Sequence, residues 1–242
     1  MAYRDFIKGV FDRYKRKAPW DPLICLPIHN EAGHLIAWMK PVTKDYRVSD
    51  SSLPELLGQW RIQFPVISTA TFKVTTERTI RWLDQLVIGR DDKLLFIIHA
   101  LDWTPLGHIG YANFDFERRC GDIDSTLRAV PSVQPGLMHS AMLTLMRWGL
   151  KELELHALEL SVYSDNERAV RFYETLGFFR IGLLPLQRIQ IRDEEKWELA
   201  PAGYAGPVEK YFARMRFDPE RAPQALLSAL SDGAAQASGT GS

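Results

Sequence analysis

The sequence predicts an α/β domain on a mixed sheet, antiparallel in its first half and containing crossovers in its second. Three strand-like runs, KLLFIIHAL, LGHIGYANFDF and CGDIDSTLRAV, succeed one another between residues 93 and 130 across the short polar turns DWTP and ERR, a spacing that implies antiparallel hairpins. From Gly136 to Phe178 a helix, the strand LELSVY and a second helix alternate, as crossover connections require. VEKYFARMRF, 208–217, resumes the period-two alternation of a closing strand.

The remaining elements follow in order. The stretch MAYRDFIKGVFDRYKRK places Phe6, Val10 and Phe11 beside Lys15, Arg16 and Lys17, a short basic amphipathic helix expected to dock on its own domain. GHLIAWMKPV, 33–42, reads as the first strand, and SSLPELLGQWR, 51–61, as a helix with a Ser cap and Pro in its first turn. Thr75 to Leu86 repeats that pattern, with Thr76 as the expected cap and Ile80, Leu83 and Val87 on one face. In SDNERAVRFYETLGF, Ser164 or Asp165 can cap, Ala169, Val170, Phe172 and Leu176 form the buried side, and Gly177 ends the helix in the left-handed conformation. The segment from Gln187 to Gly206 reads as polar and irregular, and SDGAAQASGTGS at the end as disordered. The expected organisation is an N-terminal extension (1–32), one domain (33–218, with an insertion at 187–206) and a largely disordered tail (219–242).

Composition narrows the function classes. Thirty basic residues balance thirty acidic ones, so no overall field draws the chain to nucleic acid or an anionic membrane. Only Cys25 and Cys120 are present, without ligand spacing, which reads as a reduced cytoplasmic protein without structural disulfides. His29, His34, His99, His139 and His156 show no paired spacing, and no metal is expected. No apolar run is long enough for a membrane span or the core of a signal peptide.

Two stretches carry chemistry. In PSVQPGLMHSA, from Pro131, a strand end meets a helix start at a Gly. The unpaired N–H groups and positive dipole end of such a helix can cradle a pyrophosphate without a cationic side chain. In the helix that follows Ser164, Asn166 and Tyr173 lie two turns apart at nearly the same angular position, so both can look into one cleft. A phenol there can protonate a leaving thiolate, and an amide can bind polar groups of a cofactor.

The run Asn166 to Phe178, N-E-R-A-V-R-F-Y-E-T-L-G-F, resembles the closing motif of the GNAT superfamily of N-acyltransferases. It is preceded at the right distance by a strand, a loop and a helix like the family's, and the resemblance extends over roughly Ile36 to Phe217. It implies the GNAT fold, a mixed, mostly antiparallel sheet splayed between its fourth and fifth strands, with acetyl-CoA or another short acyl-CoA as donor. It further implies that Tyr173 protonates the coenzyme A thiolate and that Asn166, Ala169 and Phe172 contact the cofactor. Gln134 and the backbone of Gly136, Leu137, Met138, His139 and Ser140 would hold the pyrophosphate, and Leu127, Ala129 and Val130 would pair with the pantetheine arm. The loop departs from the family pattern, having one Gly and a Met where a second small residue is usual.

The acceptor amine must lose a proton. Strand alternation puts Asp122, Asp124 and Thr126 on one face, opposite Ile123, Ser125 and Leu127. Asp124 is the first-choice base and Asp122 the second, with His108 on the adjacent strand as competitor because imidazole titrates near neutrality. Asp122, Tyr111 and Asn113 are the expected acceptor contacts. The pattern LGHIGYANFDFERRCGDIDSTLR most resembles family members that acylate nucleotide-linked amino sugars. In that reading the basic N-terminal segment and the 187–206 insertion, with Trp197 and Tyr204, together bind a diphosphate and a base. A protein N-acetyltransferase of the ribosomal-protein type and a non-catalytic acyl-CoA-binding module remain alternatives.

Overall fold

The computed structural model describes residues 2–65, 68–130 and 134–231. The sequence-predicted tail beyond residue 231 and the first part of the Pro131 loop lie outside the described residues. The architecture is a ten-stranded sheet, ordered β1-β2-β4-β5-β6-β7-β10-β8-β9-β3 and flanked by helices on both faces. The strands are β1 (Leu26–His29), β2 (Leu35–Pro41), β3 (Ala70–Thr71), β4 (Leu94–Ala100), β5 (Pro105–Asp115), β6 (Cys120–Arg128), β7 (Ala157–Tyr163), β8 (Phe178–Ile191), β9 (Glu194–Leu199) and β10 (Lys210–Phe217).

One face is covered by α1 (Tyr3–Tyr14), α5 (Leu137–Lys151), α6 (Glu167–Thr175) and α7 (Gln224–Ser231). Here Ile7, Val10 and Phe11 of α1 meet Leu94, Phe96 and Tyr111 of the sheet and Leu145 and Met146 of α5 in one core cluster. The other face carries α2 (Tyr46–Ser49), α3 (Leu53–Gln63) and α4 (Thr76–Trp82), with α4 continuing as a π-helical turn over Leu83–Ile88. Leu57, Trp60, Leu83 and Val87 bury against Leu95, Ile97, Leu127 and Ala129 in a second cluster.

Every pairing is antiparallel except β6 with β7, which run parallel. That parallel pairing covers only Cys120–Asp122 against Ala157–Glu159, although β6 continues to Arg128 and β7 to Tyr163. The fourth and fifth strands of the sequence reading therefore part after Asp122, opening a wedge between them.

Several expectations are corrected. The segment 187–206 is not irregular, because β8 runs on to Ile191 and returns as β9, which pairs with β3 between α3 and α4. Residues 219–231 are ordered, since Leu226 and Leu230, one helical turn apart on α7, bury into the core beside α5. The extension is more than a decoration: β1 pairs with β2 and begins the sheet. Thr75, not Thr76, caps α4, its hydroxyl accepting from Arg78 N–H at 3.2 Å. Asn166, not Ser164 or Asp165, caps α6, its Oδ1 accepting from Ala169 N–H at 3.2 Å. Each cap lies immediately before the first helical residue, where its oxygen reaches the orphan amides.

Among the described residues no helix is long and apolar enough to cross a membrane.

Candidate active site at the strand wedge

The wedge between β6 and β7 is bordered by one irregularity that reorganises its side chains. Between the pairs His108–Leu127 and Gly110–Asp124, β5 supplies one residue and β6 supplies two, Ser125 and Thr126, with Ser125 at φ 53°. This is a β-bulge, and an extra residue reverses the inside-outside alternation beyond it. Ile123 accordingly packs with the α5 core while Leu127 packs with the α3/α4 core. Uninterrupted alternation would have kept both on one side, and it would have grouped Thr126 with Asp122 and Asp124. Instead Thr126 turns to the α6 side, where its side chain lies near the Tyr173 hydroxyl.

Tyr173 sits on the inner side of α6, 8% exposed, its ring against Phe172 and Phe178. Burial, aided by the Asp124 charge and opposed by Thr126, raises its pKa above 10, so the phenol is protonated across the physiological range. Asn166 is exposed and its carbonyl oxygen is committed to the cap. Ala169 and Phe172 are half-buried on the same helix.

At the start of α5, Gly136 adopts φ 78°, a left-handed conformation open to Gly without strain. The first helical bond runs from Ser140 N–H to Gly136 O at 2.9 Å. The amides of Leu137, Met138 and His139 thus precede any intrahelical acceptor, and no side chain of the cap residue covers them. Gly136 is exposed, whereas Leu137 and Ser140 are buried. A left-handed residue followed by a helical turn forms the kind of backbone concavity that binds anions. The arrangement fits a pyrophosphate held by main-chain donors, with Gln134 at the loop's end. Of the residues expected to pair with pantetheine, Ala129 and Val130 direct their N–H groups to Leu106 O, at 2.9 and 3.1 Å, away from the wedge. Leu127 is paired with His108 across β5 and β6. Beyond Asp122 the β7-side edge of β6 has no strand neighbour, which leaves main-chain groups there to face a bound chain.

On the α3/α4 face, the three candidate bases have different surroundings. Asp124 is drawn to Lys93 Nζ at 2.5 Å and accepts from Ser125 Oγ at 2.9 Å. Burial alone would raise its pKa, but Lys93 and Ser125 hold it below the usual range. An already stabilised carboxylate is a weak proton acceptor. Asp122 is 8% exposed and receives Arg214 bidentately at 2.6 and 2.8 Å. Arg214 also reaches Glu159 Oε2, which Arg216 flanks at Oε1, so two carboxylates and two guanidinium groups lock β6, β7 and β10 together. Asp122 is therefore a lock between strands, contrary to its expected role as an acceptor contact.

His108 differs from both carboxylates. Its Nδ1 lies 2.5 Å from Ser125 O, and its ring lies beside Trp60, with centroids 5.9 Å apart. A carbonyl only accepts, so Nδ1 carries the proton and Nε2 presents a lone pair. Burial lowers the imidazole pKa below 6.5 against the opposing pull of Ser125 O and Asp124, so the ring is neutral at pH 7. The bulge that separates Thr126 from Asp124 also supplies the carbonyl that fixes this tautomer.

Tyr111 is corrected from an acceptor contact to a core residue. It is fully buried on the α5 face, and its hydroxyl donates to Leu145 O at 3.1 Å. Asn113, at φ 53° in a second irregularity of β5, accepts from Arg90 at 3.0 Å and approaches Asp122 at 3.5 Å. It braces the lock from the far side. The proposed joint site of the N-terminal basic segment and the 187–206 hairpin does not form. Lys15 is buried, its Nζ donating to Val87 O and Arg90 O, at the opposite end of the sheet order from β9.

Sequence reasoning missed Lys93, Tyr163, Phe212 and Lys210. The latter three line the same face of β7 and β10: Tyr163 and Phe212 are paired across the strands with ring centroids 4.9 Å apart. Lys210 Nζ stands 5.2 Å from the Tyr163 ring and 5.0 Å from the Trp197 ring. By parallel register, Tyr163 lies level with the β6 bulge across the wedge. Only the alternation of VEKYFARMRF hinted at this row, and its partners are distant in sequence.

A sequence profile of the acetyltransferase (GNAT) domain matches residues 46–179, more than half of the chain. No curated protein matches the chain. Among solved structures, one described as a probable GNAT-family acetyltransferase from Chromobacterium violaceum superposes with a TM-score of 0.58 at 17% identity, covering 84% of this chain and 89% of that one. Spermidine N-acetyltransferase from Vibrio cholerae, in complex with CoA and spermine, gives a TM-score of 0.53 at 13% identity, covering 69% and 90%. At such identities the structural likeness speaks for the fold. With the domain match and the wedge, bulge and α5 concavity, it supports one conclusion: the chain belongs to the GNAT acetyltransferase family and is an acyl-CoA-dependent N-acetyltransferase.

Proposed function

We propose that this enzyme transfers an acetyl or short acyl group from acyl-CoA to the amine of a small anionic acceptor, a nucleotide-linked amino sugar, by direct attack within a ternary complex. The amides of Leu137, Met138 and His139 bind the donor's pyrophosphate, and the free edge of β6 aligns its arm. The acceptor lies over the α3/α4 face. His108 Nε2 takes the proton from the amine as the new C–N bond forms, and the C–S bond breaks as Tyr173, reached from the other face, protonates the departing thiolate. No covalent enzyme intermediate is needed. Burial pushes the Cys120 thiol up to about 12 and raises that of Cys25, so neither is a thiolate nucleophile at neutral pH.

The observation that carries the acceptor class is the charge on this face. Asp122, Asp124 and Glu159 are each held by a cation, so they offer little to a polyamine. Lys210, caged by Trp197 and Tyr163, offers a cation framed by aromatic rings. A phosphate-bearing substrate with a planar base complements that pair.

Thiol release should be measured with acetyl-CoA and, in parallel, a nucleotide-linked 3- or 4-amino sugar, spermidine and an N-terminal peptide. Turnover is expected on the amino sugar, and Lys210→Ala should raise KM for it about tenfold, equivalent to ~1.4 kcal/mol, without altering KM for acetyl-CoA. Turnover on spermidine or peptide alone would reject the acceptor while leaving the transferase.

A further inference from the structure

The acceptor face is enclosed on every side by secondary structure. Its floor is the β6 bulge with His108 beside it, and α3 and α4 cover the sheet only as far as β6, where Leu127 and Ala129 complete their core cluster. From there β7, β10, β8 and β9 carry the sheet onward, and β9 returns to the helices through β3. Ala70 and Thr71 of β3 pair with Lys196 and Glu195, and Trp197 N–H donates to Thr69 O at 2.7 Å.

This crossbar is tied to both helices. Arg61, in the last turn of α3, donates to Ala70 O at 3.1 Å and to Ser68 Oγ. Arg78 of α4 holds Asp193, in the turn between β8 and β9, bidentately at 2.7 and 2.9 Å. Both guanidinium groups also lie against Phe72, 4.3 and 4.9 Å from its ring centre. The elements therefore close a ring, running from α3 and α4 through β3, β9, β8, β10 and β7 to β6 and back. Solvent still reaches its floor: the Asp124 side chain is 36% exposed, and His108 and Ser125 are half-buried, although all three belong to central strands.

The rim stands well above that floor. Arg61 holds β3 at the level of α3, and a helix with its side chains is about 10 Å across. A lysine side chain, four methylenes and an ammonium, is shorter than that, and the folded surface bearing it cannot follow it past the rim.

We propose that the ring is a selectivity filter, shut throughout the reaction, that admits an amine only end-on. The acceptor is then a small molecule or a free chain end with a primary amine at its leading tip, and lysines set in folded protein surfaces are excluded. Arg61 and Arg78 are positioning residues, acting through β3 and the β8–β9 turn. The inference rests on the acceptor reaching His108 over the α3/α4 face, and it holds whichever of the three amines above is turned over.

The test places a thiol on the floor, as Ser125→Cys in a Cys25→Ser background, and needs no turnover. N-ethylmaleimide should label it readily, whereas a small folded protein carrying one maleimide on a surface lysine should react about tenfold more slowly or less. Adding Arg61→Ala and Arg78→Ala should abolish most of that discrimination while leaving KM for acetyl-CoA unchanged in the same pair of variants built on the wild-type chain. Equal labelling by both reagents before the ring is opened would overturn the proposal, as would failure of N-ethylmaleimide to reach the thiol. A second variant tests whether the ring stays shut. Ala70→Cys with Lys196→Cys, which face one another in the ladder, lie within reach of a disulfide. Once oxidised, this variant should turn over its amine with unchanged kcat/KM, and a loss on oxidation that reduction restores would show that the crossbar must open.

Discussion

Replacing Tyr173 by Phe isolates the proposed general acid from its structural surroundings. The ring contacts with Phe172 and Phe178 persist in the variant, and only the hydroxyl and its polar contact near Thr126 are lost. A neutral polar contact contributes at most about 0.5–1.5 kcal/mol, which for a chain of this size lowers Tm by roughly 1–6 °C. Catalytic loss is of another order. A positioned general acid contributes about 10²–10⁴-fold, so kcat should fall by at least ~100-fold, or ~2.7 kcal/mol in barrier. The acid acts on the departing thiolate, which does not exist in the ground state, so KM for acetyl-CoA should be little changed. The assay is steady-state thiol release across acetyl-CoA concentrations, alongside thermal unfolding of the same preparations. A kcat within about threefold of wild type, with Tm lowered only as above, would remove Tyr173 from the chemistry. Because burial raises its pKa above 10, the wild-type alkaline limb should begin only beyond that pH.

On the acidic side, kcat/KM should rise as His108 loses its proton, with an inflection below pH 6.5, and His108→Ala should abolish both the inflection and most of the rate. Lys93→Met removes the cation that lowers the His108 pKa and leaves Asp124, which raises it, so the inflection should move to higher pH; a shift the other way would disprove the coupling. Arg214→Ala strands Asp122, at 11% side-chain exposure, while Glu159 keeps Arg216, and should cost about 3–5 kcal/mol in denaturant unfolding. Burial lowers the Lys15 pKa to about 8, below its ordinary 10.5, so the unfolded chain binds more protons between those values. Wild-type stability relative to Lys15→Met should therefore rise with pH across that window and level off above it. Lys15→Met also strips the donor from Val87 O and Arg90 O, so it should be the less stable protein once the window has been crossed.

Local patterning was sufficient where its causes are local. Alternation in 93–130 yields β4, β5 and β6, and the run from Ser164 to Gly177 yields α6, though with its cap at Asn166, with Tyr173 on its inner side and Gly177 at φ 85°. The single glycine before α5 likewise marks the concavity, since a helix start leaves its amides unpaired whatever surrounds it. The hairpin at 186–199 was read as irregular because five charged residues follow one another from Arg192 to Lys196 and its further partner, β3, is a two-residue strand more than a hundred positions away. Leu226 and Leu230 were likewise overlooked because two leucines amount to little until α5 provides a surface for them.

What the chain determined by itself is the run of strands β4 to β6, the glycine turn before α5 and the place of Tyr173 on α6, because each depends on residues a few positions apart. How the candidate proton acceptors are surrounded was decided only by the folded sheet. One extra residue at Ser125 turns Thr126 toward Tyr173 and fixes the His108 tautomer, while Lys93, thirty-one positions before Asp124, neutralises that carboxylate. Charge pairing across a sheet joins residues remote in sequence, and a bulge breaks the period-two rule by which strands are read, so neither is visible before the strands are paired.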